Sequence, residues 1–404
     1  MDLFSTSGVI FSTSGNILTS EKFLIWDASG GATPSDGAGA WLGAGRWWYN
    51  SVSQNWANDS IAFFGVGGTG GAVTLASPIS LKELIIREKS GTYTLGTAGQ
   101  AISVQDSIKN NDRVGDALVI SPIIALANIS ITNEATSGSL TIGTGDIDNA
   151  GFNITCKGAG STTFTGLVKG TGQLIKNGTG RLIIGGGVAP VHTMTGQTTI
   201  NAGTMMYTAN LPPGNVAVNG GVLESYWTTS LTRSLGAGAG EIQFLSDWSG
   251  VSLNGNTGQV NTFFNNANTE VVFGSTYFNL SIFRFNTPAS QGTAACAIAN
   301  KIDLGGATRT IYCDGGVTGG AIGSFTNVIR NSTGTAGLVK QGAGTLRLYN
   351  NNTFNGGVEI QEGIINLSNT YTTPFGSGDV TFTGNATISI TGGSAAIANN
   401  INAQ

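Results

Sequence analysis

Charge is in short supply in this sequence. Lys, Arg, Asp and Glu together account for 10% of 404 residues, against roughly 25% in an average soluble domain. Long surface helices carry Glu and Lys pairs on their wet face, so the shortage argues against a helical protein. With 18 basic residues against 22 acidic ones and a net charge of −4, there is no basic footprint for nucleic acid or for an acidic membrane surface. No stretch approaches the ~20 apolar residues of a membrane helix. Neither nucleic-acid binding nor membrane insertion is expected.

Histidine occurs once, as His192, and cysteine three times, as Cys156, Cys296 and Cys313. One histidine and no closely spaced cysteines leave no transition-metal site, and no cofactor is implied. An odd, irregularly spaced set of cysteines gives no disulfide framework. A Cys296–Cys313 bridge is one alternative; buried thiols in a β core are the expected state. A leader is lacking as well. Met1 to Gly8 carries no Lys or Arg ahead of an apolar stretch, unlike a secretory signal. The expectation is a processed fragment, or a chain that reaches the outside without the secretion pathway, as virion proteins released by lysis do.

What is present points to β-structure. Glycine, at 63 residues, is about twice average usage, and Asn, Thr and Ser fill the polar positions. Apolar residues still make up 40% of the chain, which disordered chains lack. They recur as short runs: Ala72–Leu75, Glu83–Ile86, Thr92–Leu95, Ala117–Ile120, Ile129–Thr132, Leu140–Ile142 and Phe152–Thr155. Short runs at even spacing with Gly and Asn between them mean a sandwich, a barrel or a solenoid.

Internal repetition selects the solenoid. Leu174–Ile184 aligns with Leu338–Leu348, Thr199–Met206 with Glu359–Asn366, and Ser234–Phe244 with Pro374–Phe382. Alternation puts one side chain in and one out. Each Gly-x-Gly offers a turn with positive φ or a close approach between coils. A dozen such coils stacked at ~4.8 Å would make a rod on the order of 60 Å long. The chain divides into residues 1–25, 26–107 and 108–404, with repeats near 162–227 and 337–390. The first segment repeats Phe-Ser-Thr-Ser-Gly at 4–8 and 11–15 and reads as an arm that orders on assembly or as a first hairpin.

The second segment gathers Trp41, Trp47, Trp48, Tyr49 and Trp56. Such rings could plug the open end of a solenoid, which must be covered to avoid an exposed sheet edge. They could equally form a glycan-stacking platform. The cap is the preferred reading; as ligand-binding candidates the residues are Trp41, Trp47, Trp48 and Trp56.

The phrase Gly337–Leu348, followed by Asn352–Val358 and Gly363–Ile365, resembles the autotransporter-associated β-strand repeat. The copy beginning at Gly172 is similar, with a longer insert from Gly185 to Thr195. Asn55-Trp56, Ala62–Gly65, Val73–Leu75, Pro78–Leu81 and Gly91–Leu95 resemble the stretch that opens many such proteins. The resemblance touches residues 50–107 and 160–400. It implies an all-β fold, a right-handed parallel β-helix displayed outside the cell. Against the family pattern, neither a leader nor a translocator barrel after Gln404 is expected.

Candidate chemistry is sparse. β-Helix lyases and hydrolases need clustered carboxylates, or Asp with Arg or Lys. The nearest approach is Asp146 with Asp148, expected to be solvated turn carboxylates, since nothing nearby completes the oxygens that calcium wants. His192 reads as a loop histidine without a nucleophile elbow. Gly65–Gly71 resembles a phosphate loop by composition alone, because a strand follows where a helix is required. The expected function is therefore non-catalytic display: a virion-surface component such as a capsid decoration, fibre or spike. The alternatives are an adhesin passenger of a bacterial autotransporter, then a polysaccharide-active β-helix enzyme. Expected partners are other virion or cell-surface proteins and glycans, with self-association into a homo-oligomer left open.

Overall fold

The computed structural model describes residues 9–404 except 15–16, 144, 186–191, 209, 227–229, 256–257, 267, 291–294, 318, 369–370 and 392–396, with backbone alone over 9–21 and at Ser368. Among the described residues there is no helix, and the long ladders are parallel. Parallel partners require the chain to come back to the same end of the sheet. Here it does so by coiling, each strand pairing with one a full turn later. Contacts divide the chain into two compact units, Met1–Thr198 with Asn210–Pro213, and Thr199–Ala209 with Gly214–Gln404.

In the first unit, Ile17–Trp26, Ser60–Phe64, Ile79–Ile86, Ile102–Asn110, Ile129–Asn133, Ile154–Lys157 and Leu174–Lys176 pair in succession. A second ladder runs through Gly39–Ala40, Ala72–Thr74, Tyr93–Leu95, Ala117–Val119, Ser139–Ile142, Ser161–Phe164 and Arg181–Ile184. A third, shorter one joins Ile123–Ala125, Ile147–Asp148 and Val168–Lys169. The boundary expected between residues 107 and 108 falls inside the strand Ile102–Asn110. Of the two pentapeptide copies, the first lies outside the described residues. The second falls largely in Val9–Ser14, which forms an antiparallel hairpin with Ile17–Trp26.

The second unit repeats the scheme. One ladder passes through Thr204–Tyr207, Val222–Tyr226, Gly250–Asn254, Ile282–Phe285, Arg309–Cys313, Leu338–Gln341, Val358–Ile360, Val380–Phe382 and Ile401–Ala403. Another passes through Leu231–Arg233, Gln259–Phe264, Ala295–Ile298, Ile322–Phe325, Thr345–Leu348, Gly363–Ser368 and Ala386–Thr391. A short third ladder holds Glu270–Val272, Lys301–Asp303 and Ile329–Arg330. A coil thus visits two or three faces before returning.

The core follows from alternation. In Ile129–Asn133 every second residue is buried, and Ile131 lies in register between Ile108 and Cys156. Burying such an aliphatic chain is worth about 1.5–3 kcal/mol, and most of that is realised only when the next coil covers it. The Gly-x-Gly turns show why glycine is needed. At Gly342 φ is +77° and an added Cβ would meet Cys313 O at 2.4 Å. Gly178 and Gly180 would each drive a Cβ to 2.2 Å from the carbonyl oxygen of Gly158 or Gly160 on the preceding coil. Close approach, more than unusual φ, sets these positions.

All three cysteines are free and buried. Burial pushes the Cys156 thiol up to about 12 and that of Cys313 to about 11, and Cys296 rises for the same reason. In the folded state these thiols stay protonated above pH 9, where the unfolded chain loses the protons. Stability is therefore expected to fall as pH rises from about 9 towards 12, by up to ~1.4 kcal/mol per pH unit for each thiol. Denaturant titrations across that range should show a shallower slope in Cys156→Ala. An exposed-thiol reagent should label none of the three until the chain is unfolded; labelling in the native state would contradict the burial.

Candidate functional site

The aromatic segment forms a ring cluster. Trp26, Trp41, Trp47 and Phe64 are fully buried. Trp41 lies 5.1 Å from Trp47 and 5.3 Å from Trp56, centroid to centroid. Trp47 meets Trp56 at 4.8 Å and Phe64 at 5.5 Å, and Phe64 meets Tyr93 at 5.1 Å. Tilted and edge-to-face pairs of this kind add about 0.5–1.5 kcal/mol beyond area burial. The indole N–H of Trp47 donates to Trp41 O at 2.7 Å, and that of Trp26 to Gly37 O at 3.0 Å. Of the four sequence candidates, Trp41, Trp47 and Trp56 come together. Trp48 follows Trp47 on the strand Trp47–Tyr49 and so faces the opposite side of the sheet. Trp41 and Trp47 offer no ring face to solvent, so neither can stack on a ligand; Trp48 and Trp56 are half-buried.

The glycine-rich phrase beside the cluster holds an anion after all. Backbone N–H groups of Gly65, Val66 and Gly68 donate to the Asp36 carboxylate at 3.1, 2.8 and 2.8 Å. The Tyr93 hydroxyl donates to the same group at 2.5 Å. Successive N–H groups in a turn make an anion-binding concavity, and here the chain's own aspartate fills it. Burial first, then the Asp36 carboxylate, push the Tyr93 phenol well above its ordinary range. Composition exposed the nest, but its occupant stands 29 residues or more away in sequence.

The repeat lysines have a role that the sequence reading missed. Lys340 falls in register between Ile311 and Ile360, an inward row, and is fully buried. Its Nζ donates to the carbonyls of Gln341, Gly342 and Glu362 at 2.9, 2.6 and 3.0 Å. Lys176 occupies the equivalent position in the other copy, paired in register with Cys156 and donating to Gly178 O. Burial lowers both lysines, Lys176 to about 8. An ammonium thus satisfies turn carbonyls that point inward, where water is excluded. The signal was present as Lys-x-Gly in both copies.

Other candidates are brought to no common centre. Asp146 pairs with Lys169 at 3.0 Å, both part-exposed, while Asp148 accepts the N–H of Ala150 at 2.8 Å. Among the described residues no group of three or more His, Cys, Asp or Glu is placed to hold a metal. His192 lies outside any strand, as a loop histidine should, though not on the surface. It is buried, its Nδ1 accepts the Val168 N–H at 3.1 Å, and burial lowers its pKa. Most of the insert before it, residues 186–191, lies outside the described residues.

Coiled parallel ladders with a repeated Lys-x-Gly turn define a class: an all-β protein of the β-helix or solenoid type. Residues 174–205 and 338–367 match the family model described as passenger-associated-transport-repeat, so the chain carries two copies of an autotransporter-associated repeat, a feature of passenger-like, cell-surface or extracellular proteins. These are the two segments in which Lys176 and Lys340 sit. No curated protein and no solved structure matches the chain.

Two substitutions test this geometry. Asp36→Ala should empty the nest and cost about 1.5–3 kcal/mol, the range for hydrogen bonds to a charged group, read by chemical denaturation. Lys340→Met should cost more, about 2–4 kcal/mol, because it leaves three inward carbonyls without a donor. A neutral outcome for Lys340→Met would show that those carbonyls find other partners.

Proposed function

We propose that this chain is a non-catalytic surface-display protein, a right-handed parallel β-helix presented as an autotransporter-type passenger. The observation that carries the reading is the passenger-associated repeat at 174–205 and 338–367, in which the lysine shared by the two copies, Lys176 or Lys340, donates to turn carbonyls inside the coil. Other charged groups serve as ties between coils. Lys89 and Asp112 pair at 2.9 Å with both side chains buried, and Arg284 pairs with Asp314 at 3.0 Å. These arrangements support a scaffold more than a reaction centre.

The ring cluster of Trp26, Trp41, Trp47, Trp56 and Phe64 then acts as the cap over the first coil within residues 26–107, with 108–404 as the solenoid proper. Partners are other surface proteins and glycans reached by the outer faces; nucleic acid and membrane are not among them. A virion component is the competing setting for the same display role, and a polysaccharide-active enzyme the competing activity.

Protease treatment of intact producing cells separates these settings. Fragments of the chain should be released from the cell surface while a cytoplasmic marker stays whole. Protection of the chain in intact cells, together with co-purification with phage particles, would replace the passenger reading by the virion one. Release of reducing ends from a polysaccharide panel by the purified chain would overturn the non-catalytic assignment.

A further inference from the structure

Trp41 and Trp47 are packed away, whereas a large ring further along the chain is offered to solvent. Trp248 is 44% exposed and sits in the turn between the strands Ile242–Ser246 and Gly250–Asn254. Its φ is +69°, a left-handed conformation that a bulky residue adopts only at a cost in backbone strain. The surroundings hold it there. Asp247 accepts the N–H groups of Ser281 and Ile282 at 2.6 and 2.9 Å. Ser249 donates to Val218 O at 3.0 Å and accepts the Gly220 N–H at 2.8 Å. The turn is thus pinned to the coils on both sides, and the indole is presented from a fixed base.

The surface beneath it is built to match. Gly250, Arg284, Tyr312 and Gln341 form one register row across four coils. Gly250 has no room for a side chain, since a Cβ would lie 1.9 Å from Arg284 O. Trp248 reaches along the row to Tyr312, ring centroids 5.3 Å apart and nearly edge-to-face at 64°. The Arg284 guanidinium lies 5.7 Å from the Tyr312 centroid and pairs with Asp314 at 3.0 Å. Tyr312 therefore backs the indole, and Arg284 and Asp314 brace Tyr312.

We infer that Trp248, supported by Tyr312, is a stacking platform for a neutral pyranose ring of a glycan. An exposed indole face is apolar and flat, as the C–H face of a pyranose is, while polar groups at its rim can meet the hydroxyls. Asp247, Arg284 and Asp314 sum to one negative charge, which gives no attraction to uronate or sulfated sugars. A single indole offers far less area than a protein interface requires. The inference does not depend on where the chain is displayed.

The test is titration calorimetry of the full chain against neutral oligomers of glucose, xylose, mannose, galactose and N-acetylglucosamine, with oligogalacturonate and a sulfated oligosaccharide as charged arms. A neutral oligomer should bind, and Trp248→Gly should weaken it at least tenfold. Because glycine adopts φ near +69° freely, the thermal midpoint of Trp248→Gly should equal or exceed that of the parent chain. Trp248→Phe should keep most of the binding, which guards against a trivial loss of fold. The proposal is overturned if no neutral oligomer binds, if only the charged arms bind, if binding survives in Trp248→Gly, or if Trp248→Phe loses it as completely as Trp248→Gly does.

Discussion

A coil in this protein can hide its apolar side only beneath the next coil, and its backbone groups can pair only with those of the coils on either side. That constraint decides most of what is seen. Ile131 is enclosed because Ile108 and Cys156 lie in register with it, not because its own strand makes a core. The same closeness leaves no space for a Cβ at Gly178, Gly180, Gly342 or Gly344. Energetics of this kind are nearest-neighbour energetics, so damage to one coil is felt by the two it touches.

Stacking also turns carbonyls inward at the corners, where no water competes for them, and a buried carbonyl without a donor is costly. The chain meets this with side chains inside the coil. Lys340 donates to three carbonyls, Arg309 to Leu304, Leu280 and Phe273, and Asn110 and Asn133 bond to each other and onward to Ser161 O. A sequence with few charges places several of them within its core. The low-charge exterior of Asn, Thr and Ser and the polar interior corners are two consequences of one architecture.

The two aromatic regions show how similar residues acquire different roles from their setting. Around Trp41 and Trp47 the rings close on one another, and the Asp36 carboxylate ties a loop to the glycine-rich turn beside them. Trp248 is instead lifted out by a turn whose flanking residues are bonded to adjacent coils. Tryptophan content alone could not separate them.

Much of the fold was legible because it is local. Alternation located the strands near 72–75, 83–86, 117–120 and 129–132, and the return of the Gly-x-Gly phrase with its strand pointed to stacked coils. Periodicity is written along the chain, so one strand and its turn reveal themselves without their neighbours. What each side chain faces is a property of register between coils, set 18 or more residues apart, as between Thr204 and Val222. Only the tertiary structure could therefore turn Lys340 inward, fill the Gly65–Gly68 nest with Asp36, bury His192 against Val168, and lift Trp248 into solvent on its turn.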